Sequence, residues 1–193
     1  MHLLIEAMAK VADEGAMLVI AGPVAPAYRA RLDEIVARHA LQARVLFVGM
    51  LHGKERVAAL VDCEIFVLPS SQENFGVAVV EAMAAGCPVI VSQEVAIARD
   101  IEAWGAGTTA PLEPEGLARV IDKWLADASK RREAGARGRE AAFTHFDWRQ
   151  VAQGWDDHYE YLAEVASRRM KAVEVGVGED RTSNVQRSTL KVE

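Results

Sequence analysis

Two glutamates near the middle of the chain, Glu73 and Glu81, stand with seven residues between them. Glu73 falls in a polar turn, whereas Glu81 lies inside the run VAVVEAMAA, which has no other polar side chain. A carboxylate removed from water needs hydrogen-bond donors or a counter-charge. Sugar and ribose hydroxyls are such donors, so the two residues fit a ligand that carries several hydroxyl groups.

A glycine and a predicted helix start lie between the two glutamates. Gly76 lets the backbone come close to a ligand, and the unpaired N–H groups of a first helical turn form a ready site for phosphate. A pyrophosphate suits such a turn. The residues alone leave an alternative open, in which Glu81 occupies an exposed stripe of the helix and Glu73 is solvated beside the helix dipole.

The elements that must position these residues alternate along the chain. Strands are predicted over 17–21, 45–48, 65–68, 89–91 and 108–110, and helices over 2–12, 26–40, 54–61, 75–85, 95–103, 117–128, 129–143 and 148–168. Apolar strands separated by single helices are typical of a parallel sheet covered on both faces. We therefore predict a doubly wound, Rossmann-like α/β domain with one parallel sheet of five or more strands and extra C-terminal helices. Glu73 is expected at the carboxyl ends of the strands.

Composition narrows the function classes. Hydrophobic residues make up 51% and charged residues 26% of the 193, which is typical of a globular protein, and the net charge of -6 argues against a nucleic-acid partner. Cys63 and Cys87 lack metal-ligand spacing, so neither a metal nor another cofactor is expected.

No run approaches the ~20 apolar residues that cross a bilayer, and the start lacks a basic leader. The chain is expected in the cytoplasm, with peripheral membrane association as an option for a complete form.

The chain is expected to contain one structured domain and a tail. Residues 1–170 carry the alternating pattern and are predicted to form that domain. Residues 171–193 are polar, with no apolar periodicity, and are predicted to form a disordered tail.

The stretch ENFGVAVVEAMAAGCPVI, from Glu73 to Ile90, closely resembles the E-x7-E signature of the group 1 retaining glycosyltransferases with the GT-B fold. The segments HLLIEAMAKV, LVIAG and RVLFVGML resemble other parts of the C-terminal, donor-binding domain of that family, so the resemblance extends to about Ala166. It implies transfer of a sugar from a nucleoside diphosphate sugar to an acceptor hydroxyl, with retention at the anomeric carbon. Most members need no metal.

The resemblance also implies roles for individual residues. Glu73 meets the transferred sugar and is the catalytic candidate, while Glu81 holds the ribose hydroxyls. Two further sets complete the expected donor site: backbone amides that face the sugar and phosphates, and a loop beside the nucleotide base. The first set is Asn74, Phe75, Gly76 and Val77, and the second is Gly49 and Met50.

The chain departs from the family pattern in several places. The Arg and Lys that usually precede the first helix of the donor domain, and the acceptor-binding domain, are not matched by residues 1–193. Glu64 stands where the family usually has Asp, and 92–97 lacks the usual glycines. We expect donor binding with little or no transfer by this chain alone. The alternatives are a non-catalytic nucleotide-binding or interaction module and, less favoured by the signature, an epimerase of similar architecture.

The last predicted helix carries an apolar stripe. Its members fall at alternating spacings of four and three residues: Trp148, Ala152, Trp155, Tyr159 and Leu162. In the resembled family, a helix at this end crosses to the amino-terminal domain. We therefore expect part of the stripe to pack against another protein surface, either in a homo-oligomer or on a separate acceptor-binding half. The alternative is that the helix folds onto its own domain and hides the stripe.

Overall fold

The structure is a computed structural model that describes residues 1–176, with side chains described through residue 170. Its contacts divide the chain into two units, Met1–Asp147 and the part that begins at Trp148. The last helix continues to Gly176, which is past the predicted domain boundary at 170. The remainder of the predicted disordered tail, 177–193, lies outside the described residues.

Helices and strands alternate through the first unit, and the predicted doubly wound α/β class is confirmed. The strands are β1 (Leu18–Ala21), β2 (Val45–Gly49), β3 (Phe66–Leu68), β4 (Val89–Val91) and β5 (Gly107–Thr109). The helices are α1 (His2–Met8), α2 (Pro26–Arg38), α3 (Gly53–Val61), α4 (Val77–Ala85), α5 (Ala98–Trp104), α6 (Pro114–Leu125) and α7 (Ala128–His145), and α8 (Trp148–Gly176) lies in the second unit. Each predicted element is present; β4 has the predicted ends, and the other elements differ from the prediction at one end or both.

The five strands run parallel to their neighbours, but they form two sheets where the sequence predicted one. β1 pairs with β2, and β4 lies between β3 and β5. No ladder of hydrogen bonds joins β1 to β3 within residues 1–176. The apolar composition of a run indicates that a strand is buried, but it does not say which strand lies beside it, and this is why the break was not predicted.

The core lies on both sides of β4. Val89 and Val91 belong to an apolar cluster with α4, α5 and α7, whereas Ile90 belongs to a cluster with α1, α2 and α6. Successive side chains of a strand point to opposite faces, so three buried residues in a row require cover on both faces. All three are at most 1% exposed. The burial of this short strand therefore requires a layer of helices on each face of the sheet.

Small residues let α7 pack closely on α4. The buried positions of α7 are Ala134, Gly135, Gly138, Ala141 and Ala142. A Cβ placed on Gly135 would lie 2.0 Å from the carbonyl oxygen of Gly86, the residue that ends α4 in a left-handed conformation. The close approach of α7 thus depends on the absence of a side chain at Gly135.

In the part of the second unit that the structure describes, the chain forms the helix α8. Trp155 and Tyr159 of the predicted stripe are more than half exposed, with their ring centroids 5.9 Å apart. Association of this stripe with a second copy of the chain or with an acceptor-binding half stays a prediction. Within residues 1–176, no helix combines the length and the apolar composition needed to cross a membrane.

Replacing Gly135 by alanine tests the α4–α7 contact. We expect Gly135→Ala to lower the free energy of unfolding by about 1–3 kcal/mol, because the added methyl group meets backbone rather than a movable side chain. The matched control is Gly154→Ala in α8, where nothing lies within 4 Å and helix propensity favours alanine by about 1 kcal/mol. Urea unfolding followed by circular dichroism measures both variants. Equal stability of Gly135→Ala and the parent chain would contradict the close packing.

Candidate functional site

The loop 69–76 joins β3 to α4, and its first half is held by hydroxyl groups. Ser92, one residue after β4, is buried, and its hydroxyl donates to the carbonyl oxygen of Ser70. The N–H of Ser92 donates to the Leu68 carbonyl at 3.3 Å. The Ser70 hydroxyl accepts from the N–H of Gln72 and donates to its carbonyl. These bonds tie the loop to the neighbouring strand. Sequence analysis missed Ser92, since a serine after a strand carries no signal of its partner.

Glu73 occupies the second half of this loop. Its backbone forms a parallel bridge with Val95, which lies in the segment after β4. Its carboxylate Oε1 accepts the N–H of Gly76 at 3.2 Å. Since both segments follow the carboxyl ends of parallel strands, the structure places Glu73 at the carboxyl edge of the sheet. The carboxylate is thereby positioned beside the first turn of α4.

Gly76 immediately precedes α4, and the helix start beside it is open. It has φ of +81°, and a Cβ would lie 3.2 Å from the Val79 Cγ2 methyl, so both the backbone and the space favour glycine. No side chain caps this helix end. The N–H groups of Val79 and Val80 reach the Gly76 carbonyl, but those of Val77 and Ala78 meet no acceptor among the described contacts. Such an uncapped helix start can bind an anion.

Glu81 lies one turn further along α4 and has a partner that sequence analysis missed. Its Oε1 is 3.0 Å from Nη1 of Arg56 in α3, and the Glu81 side chain is 31% exposed. Glu81 is therefore neither a lone buried charge nor a fully solvated one. A partly exposed ion pair contributes about 0–1 kcal/mol to stability. The described contacts leave the second carboxylate oxygen of Glu81 without a partner.

Four aromatic residues hold the tip of the loop; they are named here the aromatic cluster. The Phe75 ring meets Phe146 edge-on, with centroids 5.5 Å apart. Phe146 also meets Trp104 edge-on at 5.8 Å, and His145 stacks on Trp104 at 4.8 Å. The loop is thus braced by the ends of α5 and α7. The side chains of two further predicted site residues, Asn74 in the loop and Val77 at the start of α4, are exposed.

Gly49 is the last residue of β2, in the other sheet, and Met50 follows it. Gly49 has φ of +70°, and its carbonyl accepts the N–H of Gly22 at 2.7 Å, which joins the carboxyl ends of β1 and β2. Met50 is exposed. No described contact brings either residue to the loop 69–76, so the structure groups Glu73 to Val77 and leaves Gly49 and Met50 apart from them. Their place beside a base stays a prediction.

Glu64, where the resembled family usually has Asp, has a structural contact. Its carboxylate lies 2.8 Å from Arg131 of α7. The same guanidinium donates to the carbonyl groups of Trp124 and Leu125. The ion pair therefore ties the segment before β3 to the junction of α6 and α7.

A cleft adjoins the carboxyl ends of β4 and β5. It has a volume of about 270 Å³ and is lined by Gln93, Glu94, Thr109, Ala110, Pro111 and Leu112. Sequence analysis did not assign these residues to the candidate site. Among the residues that the structure describes, no three His, Cys, Asp or Glu side chains are grouped to hold a metal ion.

Residues 1–141 match the family model described as "Glycosyl transferases group 1". One curated relative is an uncharacterized glycosyltransferase of Methanocaldococcus jannaschii, 28% identical over 167 residues, or 86% of this chain and 42% of that protein. Another is the GDP-mannose-dependent alpha-(1-6)-phosphatidylinositol dimannoside mannosyltransferase of Mycobacterium tuberculosis, 32% identical over 151 residues, or 77% of this chain and 37% of that protein. The chain spans less than half the length of these relatives.

Solved structures share the fold. Sucrose-phosphate synthase from Thermosynechococcus elongatus superposes with a TM-score of 0.76 at 30% identity, over 85% of this chain and 42% of that one. Anabaena HepE in complex with UDP-glucose superposes with a TM-score of 0.75 at 24% identity, over 83% of this chain and 44% of that one. At that identity the second likeness concerns the fold alone.

Removing the Ser92 hydroxyl tests how the loop is held. We expect Ser92→Ala to cost about 1–3 kcal/mol of unfolding free energy, because the Ser70 carbonyl loses its buried donor. Amide hydrogen exchange in 70–76 should speed up. The control is Ser71→Ala, at an exposed position, which should stay within about 0.5 kcal/mol of the parent. Unchanged exchange in 70–76 after Ser92→Ala would show that the loop is held by other contacts.

Proposed function

This chain belongs to the group 1 glycosyltransferases, and we propose on that basis that it forms the nucleotide-sugar-binding part of a retaining enzyme. The proposed reaction moves a sugar from a nucleoside diphosphate sugar to an acceptor hydroxyl, with retention at the anomeric carbon. One observation carries the proposal: a carboxylate, Glu73, is held beside the uncapped start of α4 at the carboxyl edge of the sheet. This arrangement offers an anion site and a hydroxyl acceptor side by side.

The uncapped helix start suits the diphosphate. The N–H groups of Val77 and Ala78 are donors in a fixed position, and the partial positive charge of the helix start favours an anion. As the bond between sugar and diphosphate breaks, negative charge grows on the diphosphate. Fixed N–H donors stabilise that charge without reorganising, which lowers the barrier.

Glu73 suits the sugar and not the phosphates. A carboxylate repels phosphate but accepts hydrogen bonds from hydroxyl groups. The N–H of Gly76 engages Oε1 and fixes the orientation of the carboxylate. We assign Glu73 to the transferred sugar as the catalytic candidate, with the amides of Asn74 and Phe75 beside it.

Glu81 suits the ribose of the donor. Arg56 engages one carboxylate oxygen, so the other oxygen can accept from a ribose hydroxyl. The exposed Met50 and the side-chain-free Gly49 form the proposed edge beside the base, where an apolar side chain can pack on a planar ring.

We further propose that residues 1–193 bind the donor and transfer little sugar by themselves. Relatives of more than twice the matched length are consistent with an acceptor-binding half elsewhere, either in a longer chain or in a separate one. Binding without turnover is also what a non-catalytic nucleotide-binding module would show. Transfer that appears only when an acceptor-binding half is added would favour the enzyme.

The ribose role predicts a loss of affinity in Glu81→Ala. Titration calorimetry with UDP, GDP and their glucose and mannose conjugates should identify a bound donor. For that donor, the substitution should cost about 1–3 kcal/mol of binding free energy, because ribose hydroxyls lose an acceptor. Glu34→Ala in α2, another exposed glutamate position, should bind like the parent. If Glu81 serves only its ion pair, Glu81→Ala and Arg56→Ala will lower stability alike and leave affinity unchanged.

If Glu73 binds the transferred sugar, its substitution should weaken the binding of a nucleotide sugar more than the binding of the free nucleoside diphosphate. Glu73→Gln keeps an oxygen for the Gly76 N–H but removes the negative charge, so the loop keeps its shape. Affinity for the free nucleoside diphosphate should stay within about twofold, while affinity for the nucleotide sugar falls by about tenfold, equal to ~1.4 kcal/mol. The same calorimetry measures both ligands. An equal loss for the two would place Glu73 away from the sugar.

A further inference from the structure

The two cysteines of the chain lie outside the proposed donor site, at the ends of two neighbouring helices. Cys63 directly follows the C-terminal cap of α3, and Cys87 directly follows that of α4. The two helices pack against each other, and Arg56 of α3 pairs with Glu81 of α4. A bond between the cysteines would therefore join the ends of two packed helices.

The pairing of β3 with β4 brings the two cysteines close together. Phe66 of β3 is the register partner of Val89 of β4, and its N–H donates to the Pro88 carbonyl at 2.9 Å. Cys63 lies just ahead of β3, and Cys87 lies just ahead of β4. Neighbouring strands are about 4.8 Å apart, and disulfides join Cα atoms that are about 4.4–6.8 Å apart. The backbone thus places the two cysteines within reach of a disulfide bond.

The two side chains lie on the same apolar cluster. Cys87 is 2% exposed inside it, and Cys63 packs against it while it stays partly exposed. The Cys63 sulfur accepts from the N–H of Ile65, and the Cys87 sulfur accepts from that of Phe66. The Cys87 thiol proton has two acceptors within reach, the Cys63 sulfur and the Pro88 carbonyl at 3.5 Å. The sulfur atoms are therefore in contact, and both are free thiols.

The two thiols differ in acidity and in access. The pKa of Cys63 is lowered from its ordinary value, chiefly because the Cys87 thiol donates a hydrogen bond to it, while burial acts in the opposite direction. The pKa of Cys87 is raised, because Cys63 engages its proton and because the side chain is buried. The thiolate is the reactive form of cysteine. Cys63 is thus the thiol that ionises first and that a small oxidant reaches first.

We infer that Cys63 and Cys87 form a reversible disulfide in the presence of hydrogen peroxide, and that this bond anchors the end of α3 to the end of α4. α3 buries none of its residues, so few other contacts hold it in place. The inference rests on the contact between the two cysteines. It holds whether or not the chain binds a nucleotide sugar.

The chemistry requires one peroxide for each pair of thiols. The Cys63 thiolate attacks one oxygen of hydrogen peroxide, the O–O bond breaks, and the hydroxide that leaves takes up a proton to become water. Cys63 is then a sulfenic acid. The Cys87 sulfur attacks the Cys63 sulfur, the S–O bond breaks, and the hydroxyl group leaves as water with the Cys87 proton. The two thiols are oxidised by two electrons, and the peroxide is reduced to two waters.

Treatment of the full chain with hydrogen peroxide tests the inference. A proteinase that cleaves after glutamate separates the two cysteines, because Glu64, Glu73 and Glu81 lie between them. Mass spectrometry should find the Cys63 peptide linked to the Cys87 peptide within one chain, and dithiothreitol should release the two. Links between chains alone, or oxidised cysteines without a link, would overturn the inference.

Two single substitutions separate the roles of the cysteines. In Cys87→Ala, Cys63 should accumulate as a sulfenic acid that dimedone traps, since no second thiol is near. In Cys63→Ala, Cys87 should remain reduced over the same exposure, because it is buried and its pKa is raised. Equal rates of oxidation at the single cysteines of the two variants would contradict the assigned order of attack.

A measurement on the parent chain decides the matter if either variant misfolds. Equilibration with reduced and oxidised glutathione gives the effective concentration of one thiol at the other. This value should be at least about tenfold higher in the folded chain than in urea, because the fold holds the two sulfurs together. Equal values would show that the fold does not favour the disulfide. Hydrogen exchange in 53–61 should slow in the oxidised chain, and unchanged exchange would overturn the anchoring of α3.

Discussion

The burial of β4 on both faces is the constraint from which the rest of the first unit follows. Val89 and Val91 need cover from α4, α5 and α7, and Ile90 needs cover from α1, α2 and α6. A strand of three residues with helices on both sides leaves its two ends as the places where polar groups reach water. The segment after its carboxyl end, which begins with Ser92, is therefore where loops of several strands meet and where ligand chemistry can lie.

The proposed donor site depends on backbone geometry more than on side-chain charge. Gly76 takes a left-handed conformation that opens α4 at the loop, and Ser92 and Val95 hold the two halves of that loop. The aromatic cluster braces its tip from α5 and α7. Such a loop can offer donors in fixed positions, which matters for a reaction whose barrier depends on stabilising the charge of a departing diphosphate.

The split sheet and the donor site are linked through the strand ends. Parallel strands that share a sheet present their carboxyl ends along one edge, so strand order determines which loops face the same ligand. β3, β4 and β5 bring the Glu73 loop and the cleft at Thr109 to one edge. The loop after β2 belongs to a separate sheet, so the order of the paired strands does not by itself align it with the others.

Local pattern in the sequence determined the elements and the chemistry of the loop. Apolar runs, turn residues and helical spacing predicted each strand and helix, and the spacing of Glu73, Gly76 and Glu81 predicted a helix start between two carboxylates. These features depend on near neighbours along the chain. Tertiary structure alone decided the pairing of Glu81 with Arg56, the bond from Ser92 to Ser70 and the break between β1 and β3. Each of these features concerns residues that are distant in sequence. Whether such residues meet depends on how the helices and sheets pack together, and the periodicity of the sequence does not encode that packing.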